Sequence, residues 1–119
     1  MSLEENVQGY FDLLSKGDMM GAFEKYYSED IVMQENNEKP RIGKEVNRKF
    51  EIDYMSSIEA VHGSDIKNVA INSETGTVFI QAFMDATFKE FGRASIEEVQ
   101  VQTWKNGQIV HEKFFYNRG

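Results

Sequence analysis

The sequence predicts an α+β fold in which helices pack on one face of a curved antiparallel sheet. Apolar residues recur at helical spacing in the first half of the 119-residue chain and alternate in the second half. A chain with its helices first and its antiparallel strands last forms segregated α+β layers. The length predicts a single domain over residues 1–119, large enough to bury roughly two-thirds of its unfolded surface.

Three helices are predicted before any long strand. The first covers residues 3–15 and the second covers residues 19–27, separated by Lys16-Gly17-Asp18. Glycine suits the left-handed position that follows a helix, and aspartate caps the start of the next one. The third helix runs from Lys44 to about Ile58, with Val46, Phe50 and Tyr54 predicted on its inner side.

Four to five strands are predicted from runs rich in β-branched and aromatic residues. One short strand lies between the second and third helices, and the others follow Val61. Their expected ranges are 31–35, 66–71, 77–89 and the two arms of a hairpin over 95–116.

The hairpin is marked by Asn106-Gly107, because Asn-Gly between two β-rich runs is a strong hairpin signal. Its first strand has two distinct faces. One face is small and apolar, with Val99 and Val101. The other is polar and ends in an aromatic ring, which suggests the wall of a pocket: Glu98, Gln100, Gln102 and Trp104.

The register of this hairpin stays open in the sequence. A two-residue Asn-Gly turn would pair Gln102 with His111. A three-residue turn with a bulge would pair Gln102 with Val110 instead, and would bring Glu112 and Tyr116 to the polar face. The two alternatives give the pocket wall different chemistry.

Composition excludes several classes of function. The chain has no cysteine, so it has no disulfide, thiolate metal site or cysteine nucleophile. Its net charge of -7 argues against a nucleic-acid partner. There is no signal-peptide pattern and no apolar run long enough to span a membrane, so we expect a cytoplasmic protein. His62 and His111 have no second ligand at metal spacing, and we expect neither a metal nor a cofactor.

The order of elements and four local segments resemble the nuclear transport factor 2-like superfamily, which includes ketosteroid isomerases and SnoaL-like polyketide cyclases. The segments are GYFDLLSKGD (residues 9–18), YYSEDIVMQEN (26–36), PRIGKE (40–45) and WKNGQI (104–109). The resemblance covers nearly the whole chain. It implies a cystatin-like cone with a hydrophobic pocket and a homodimer that forms through the sheet, where Val99 and Val101 leave an apolar surface opposite the pocket.

The resemblance also implies three site residues. The family's tyrosine, which donates to the substrate oxygen, corresponds to Tyr10. Its catalytic base corresponds to Glu35, and its protonated aspartate corresponds to Gln100. An isomerase, cyclase or dehydratase acting on an apolar carbonyl compound by proton transfer would use Glu35 as the base, with Tyr10 and Gln100 holding the oxygen.

Each candidate also has a structural interpretation. Tyr10 could be a core tyrosine bonded to another side chain, and Glu35 a solvated carboxylate at a strand end. Gln100 could belong to an amide network with Gln102. Asp85 is predicted either as a further catalytic acid or as the partner of a cation such as Lys113 or Arg93.

The expected partner is a small apolar or aromatic molecule. Two alternatives to an enzyme remain: a non-catalytic binding module with the same pocket, and an interaction domain whose pocket is filled by its own aromatic side chains. The residues predicted to contact a ligand are aromatic or carry an amide: Phe11, Tyr27, Phe50, Phe83, Gln102, Trp104 and Tyr116.

Overall fold

The computed structural model describes residues 1–117 and has three helices and one sheet. In chain order these are α1 (Leu3–Ser15), α2 (Met19–Tyr26), β1 (Tyr27–Glu35), β2 (Arg41–Ile42), α3 (Lys44–Ser57), β3 (Ile58–Asn72), β4 (Thr77–Phe88), β5 (Gly92–Lys105) and β6 (Gln108–Tyr116). The predicted α+β class is confirmed. None of the helices in this part of the chain is long and apolar enough to cross a membrane.

The sheet contains six strands in the order β2-β1-β6-β5-β4-β3. The predicted four to five strands are therefore too few, because the two-residue strand β2 also pairs with β1. The sheet is also not wholly antiparallel, since β1 runs parallel to β6. These two strands lie far apart in sequence and no turn signal links them, so a hairpin pattern could not reveal their pairing. Bulges in β3 and β6 bend the sheet around the helices.

Side-chain caps mark the starts of the first two helices. The Ser2 hydroxyl accepts from the Glu5 amide at 3.1 Å and the Glu5 carboxylate accepts from the Ser2 amide at 3.0 Å, which forms a capping box before α1. The Asp18 carboxylate accepts from the Gly21 amide at 2.9 Å before α2. Asp18 therefore acts as the N-cap that the sequence predicted.

The inner side of α3 differs from the prediction. Val46 is 54% exposed, whereas its neighbour Asn47 is fully buried. The Asn47 amide donates to the carbonyl oxygens of Arg41 and Gly43 at 3.0 and 2.8 Å. These bonds tie the first turn of the helix to the preceding loop, so a polar residue takes a buried position that hydrophobic periodicity would assign to an apolar one.

The core lies between α1, α2 and the inner face of the sheet. Its aromatic part joins Tyr10 of α1 to Tyr26 of α2 and to Trp104 of β5, with ring centroids 6.0 Å from Tyr10 in both cases. Side chains from three strands, β1, β4 and β6, complete it with almost no exposure: Ile31, Met33, Val78, Ile80 and Ile109.

The hairpin between β5 and β6 follows neither predicted pairing. Asn106 and Gly107 form a two-residue turn with φ angles of 55° and 77°, and Lys105 faces Gln108 across it. Val110 is then an extra residue, because Trp104 pairs with Ile109 whereas Thr103 pairs with His111.

The bulge at Val110 shifts the register of the rest of the strand, so that Gln102 pairs with Glu112. Both predicted partners of Gln102 are therefore wrong. Glu112 and Tyr116 nevertheless share the polar face of β5, as the second alternative expected. The predicted face is right because one extra residue moves all later side chains of the strand to the opposite face, and here that residue lies within β6 rather than at the turn.

Candidate active site

A cavity of about 780 Å³ lies between the helices and the inner face of the sheet. This size is within the range of sites for small organic molecules. One part of its wall is apolar and is supplied by both helices and strands: Phe11, Leu14, Met20, Ile66, Met84 and Ile96. The remaining wall carries hydroxyl, amide and carboxyl groups.

A chain of buried hydrogen bonds reaches this cavity from the core. The Trp104 indole Nε1 donates to Gln102 Oε1 at 2.9 Å, and Gln102 Nε2 donates to Glu112 Oε2 at 2.6 Å. Glu112 Oε1 lies 2.5 Å from the Tyr27 hydroxyl, which lies 3.3 Å from the Tyr10 hydroxyl. Gln102 and Glu112 are completely buried from bulk solvent. Three members of the chain, Tyr10, Tyr27 and Glu112, line the cavity, and Gln102 does not.

The buried position of Glu112 favours the neutral, protonated form of its carboxyl group. Burial raises the pKa of its carboxyl group to about 8, although the hydrogen bonds from Tyr27 and Gln102 oppose the shift. The charges of Glu51 and Glu98 add to it. Unpaired charge in a water-free interior is costly, so the group keeps its proton instead.

Both arms of the chain donate toward Glu112. An indole nitrogen can only donate, so Trp104 fixes the carbonyl end of the Gln102 amide and turns its NH₂ group toward Glu112 Oε2. The Tyr27 hydroxyl donates to Glu112 Oε1 from the other side. The Tyr10 hydroxyl, 3.3 Å from the Tyr27 hydroxyl, ends the chain at the cavity wall.

Glu35 lines the cavity but is already held by the protein. The Arg41 guanidinium donates to its Oε2 at 3.0 Å, and the Tyr116 hydroxyl donates to its Oε1 at 3.3 Å. Arg41 is itself fixed by a bond to Asn47 Oδ1 at 3.0 Å and by stacking 3.5 Å from the Phe50 ring centroid. Both oxygens of Glu35 therefore have partners.

Glu51 of α3 is the contrasting carboxyl group in the cavity wall. Within residues 1–117 its side chain makes no hydrogen bond or ion pair. Burial raises its pKa to about 7, Arg41 opposes the shift, and the charges of Glu35 and Glu98 add to it. A cavity-lining carboxyl group with a pKa near 7 is suited to take up and release protons at neutral pH.

Glu98 and Gln100 form a further polar pair on β5. Gln100 Nε2 donates to Glu98 Oε1 at 2.7 Å. Burial raises the pKa of Glu98, the Gln100 bond opposes this, and the charge of Glu35 adds to it. The Gln100 side chain thus holds Glu98, and part of its donor capacity is used within the protein.

The predicted site residues occupy three places. Gln102 and Trp104 lie behind the wall, in the hydrogen-bond chain that supports Glu112. Asp85, predicted as a possible catalytic acid, is absent from the cavity wall and accepts two bonds from Arg93 at 3.1 and 2.8 Å, as its cation-partner alternative expected. The others line the cavity: Tyr10, Phe11, Tyr27, Glu35, Phe50, Phe83, Gln100 and Tyr116.

Sequence reasoning missed Glu51 as a site residue, and it placed Glu98 and Glu112 on the expected pocket wall, Glu112 in one register only, without giving either a catalytic role. Glu51 lies three residues before Tyr54 on α3, so the helix face predicted to turn inward contained its signal. The position of Glu112 depended on the open register. No group of His, Asp and Glu suited to a metal ion occurs in the described part of the chain.

Helices over one face of a bent sheet, with a cavity between the two layers and a chain of buried hydrogen bonds reaching it, define a class of cone-shaped α+β proteins. The profile of the SnoaL-like domain family matches residues 1–116. The chain belongs to this family.

Solved structures agree with this assignment. A Mesorhizobium loti protein, provisionally named a SnoaL-like polyketide cyclase with carbohydrate phosphatase added in brackets, is 32% identical with a TM-score of 0.88; the match covers 98% of this chain and 100% of that one. A Jannaschia protein, also provisionally named a SnoaL-like polyketide cyclase, is 14% identical over 96% and 86% of the two chains, with a TM-score of 0.80.

A third structure shares the fold. The epoxide hydrolase/cyclase-like enzyme SalBIII is 18% identical over 98% of this chain and 91% of its own, with a TM-score of 0.77. At this level of identity the similarity concerns the fold alone. No curated protein matches the chain significantly.

Proposed function

We propose that the protein binds a small apolar or aromatic carbonyl compound in the cavity and catalyses proton transfer on it, as an isomerase, cyclase or dehydratase does. The observation that carries this proposal is the buried hydrogen-bond chain that joins Trp104 to Tyr10 through Gln102, Glu112 and Tyr27. It ends at a cavity that also contains the unpaired carboxyl group of Glu51. A donor and a proton acceptor in one apolar cavity are the parts that enolisation needs.

Tyr10 is the proposed donor to the substrate carbonyl. When the proton leaves the neighbouring carbon, the electron pair of that C–H bond moves to form an enolate, and negative charge develops on the carbonyl oxygen. Tyr27 and neutral Glu112 support the Tyr10 hydroxyl through the buried chain. Preorganised donors of this kind stabilise such a charge because they need no reorganisation during the reaction.

Glu51 is the better candidate for the base. Its carboxylate would take the proton from carbon and return it to the same or another carbon, so that the enzyme is unchanged after each cycle. Glu35, the base implied by the resemblance, is bonded on both oxygens to Arg41 and Tyr116. A proton shuttle works best when its pKa lies near the working pH, and this favours Glu51.

Exchange of α-hydrogens for deuterium in a simple apolar ketone tests the proposal. With 2-tetralone in D₂O, followed by NMR, the protein should accelerate exchange, with a rate that rises through about pH 7. Glu51→Gln should lower the rate by a factor of about 10² or more. Glu97→Gln is the matched control, because Glu97 contacts Gln81 and Lys67 away from the cavity wall.

Two results would contradict this assignment. Exchange by Glu51→Gln at the wild-type rate would exclude Glu51 as the base, and a loss seen only in Glu35→Gln would restore Glu35. Binding of the ketone without accelerated exchange would favour the alternative of a non-catalytic binding module.

A homodimer through the outer face of the sheet is also proposed. Phe79, Val99 and Phe115 are each more than 40% exposed there. Pairing of Val99 with Phe115 and of Phe79 with Val101 brings them together on β4, β5 and β6. A two-fold axis over this strip would bury it against the same strip of a second copy.

A further inference from the structure

We propose that the cavity selects a molecule with a protonated amine on an apolar body. The proposal rests on the cavity as the ligand site and adds the charge of the ligand to the function proposed above. It follows from which charged groups line the wall, where they lie, and which of them lack a partner.

The described wall of the cavity contains acidic side chains and no basic side chain. None of its lining residues within 1–117 is Lys, Arg or His. Arg41 is the cation that opposes the raised pKa of Glu51. Its guanidinium already contacts Glu35, Asn47 and the Phe50 ring. Five acidic side chains line the same wall: Glu35, Glu51, Asp65, Glu98 and Glu112.

Three of these acids lie at one end of the cavity among aromatic rings. Strand pairing sets Glu35 opposite Phe114, and Glu98 opposite Tyr116, on neighbouring strands. Glu51 approaches from α3, together with Tyr54 of the next helical turn. The pKa of Tyr54 is raised to about 12, first by burial and then by the charges of Glu98 and Glu51, as expected if these groups lie close together.

An ammonium group would complete this end of the cavity. Aromatic faces attract cations, and the attraction grows when water is excluded. Glu51, half-buried and without a partner in the described chain, would gain a counter-ion, and Glu98 would share it. A neutral ligand would leave Glu51 unpaired, and an anionic ligand would add repulsion.

The charge of the ligand would also bear on the proposed chemistry. Glu51 faces Arg41 of β2, Glu35 of β1 and Glu98 of β5, and its proton is held chiefly by burial. A cation beside it favours the carboxylate, so binding should release protons near pH 7. The ligand would thereby convert Glu51 to the form that acts as a base.

Three probes with the same naphthyl body test this inference by isothermal titration calorimetry at pH 7. They are 2-(2-naphthyl)ethylammonium, 2-(2-naphthyl)ethanol and 2-naphthylacetate. The ammonium should bind at least about tenfold more tightly than the alcohol, and the acetate should bind most weakly. In buffers of different ionisation enthalpy, only the ammonium should release protons.

The variants Glu51→Gln and Glu98→Gln should reduce the ammonium preference, whereas Glu97→Gln on the outer face should keep it. Circular dichroism of each variant checks the fold. Wild-type binding in which the alcohol equals the ammonium, or in which both cavity variants keep the preference, would overturn the inference.

The outcomes separate this inference from the proposed function. Equal binding of alcohol and ammonium, with 2-tetralone exchange intact, refutes the charge selectivity alone. Ammonium preference without exchange refutes the catalysis alone. If none of the three probes binds, the cavity does not accept a naphthyl amine, and the inference fails.

Discussion

Glu112→Gln is expected to stabilise the folded protein above pH 5, and the gain should grow with pH. In the wild type, the folded state holds the Glu112 carboxyl group neutral, whereas the unfolded chain ionises it near pH 4.5. Since the unfolded state then binds fewer protons, stability falls as the pH rises from 4.5 toward 8. A glutamine side chain can accept from Gln102 with its carbonyl oxygen and place its NH₂ group beside the Tyr27 hydroxyl oxygen, so both contacts can be kept without a charge.

The size of this effect follows from the two pKa values of Glu112. Folded and unfolded values of about 8 and 4.5 give a loss of about 1.4 kcal/mol per pH unit between them. The wild type should therefore lose about 3 kcal/mol through this group by pH 7, and about 5 kcal/mol above pH 8. Glu112→Gln removes that contribution. Below pH 4.5 the two proteins should differ little, because both states of the wild type are then protonated.

Urea unfolding at pH 4 to 8.5, followed by fluorescence of the single tryptophan Trp104, measures the difference at one protein concentration. Glu51→Gln is a useful comparison, because its own gain should be complete near pH 7 rather than pH 8. Parallel stability curves for the wild type and Glu112→Gln would show that Glu112 is already ionised when folded. The raised pKa of Glu112 in the folded protein would then be wrong.

Two further predictions concern the backbone and the outer face. Gly76 has a φ of +74°, and an added Cβ would lie 2.5 Å from the Trp104 carbonyl oxygen. Gly76→Ala should therefore lower the free energy of unfolding by about 2 kcal/mol or more, whereas Gly63→Ala, with no atom within 4 Å, should change it far less. Equal urea midpoints would contradict this. Val99→Glu should convert a dimer to a monomer in light scattering while Phe91→Glu, exposed elsewhere, should not; a monomeric wild type would refute the dimer.

Local patterns were sufficient for the order of elements, because caps, helical stripes and the Asn-Gly turn act over a few residues. The predicted inner face of α3 was wrong at Val46, because hydrogen bonds from Asn47 to a loop outweighed hydrophobic periodicity. The pairing of β1 with β6 and the extra strand β2 depend on contacts between distant segments, which a single sequence does not display.

The candidate site was predictable in its outline more than in its chemistry. Tyr10 and Glu35 reach the cavity because a helix stripe and a strand end put them there. Which carboxyl group lacks a partner is a property of the whole fold. Glu35 forms an ion pair with Arg41 of a short strand, whereas Glu51 forms no ion pair or hydrogen bond within residues 1–117, and the local sequence around each glutamate does not show this difference.

The bulge at Val110 also affects how this chain should be compared with its relatives. With a regular ladder from the same turn, His111 would lie opposite Gln102, so a backbone irregularity rather than a side-chain substitution places an acid at the floor of the cavity. A relative with one residue fewer and no bulge would present the same face. An alignment without a gap at Val110 would then match Glu112 to an outward-facing residue, and functional positions would be compared with the wrong column.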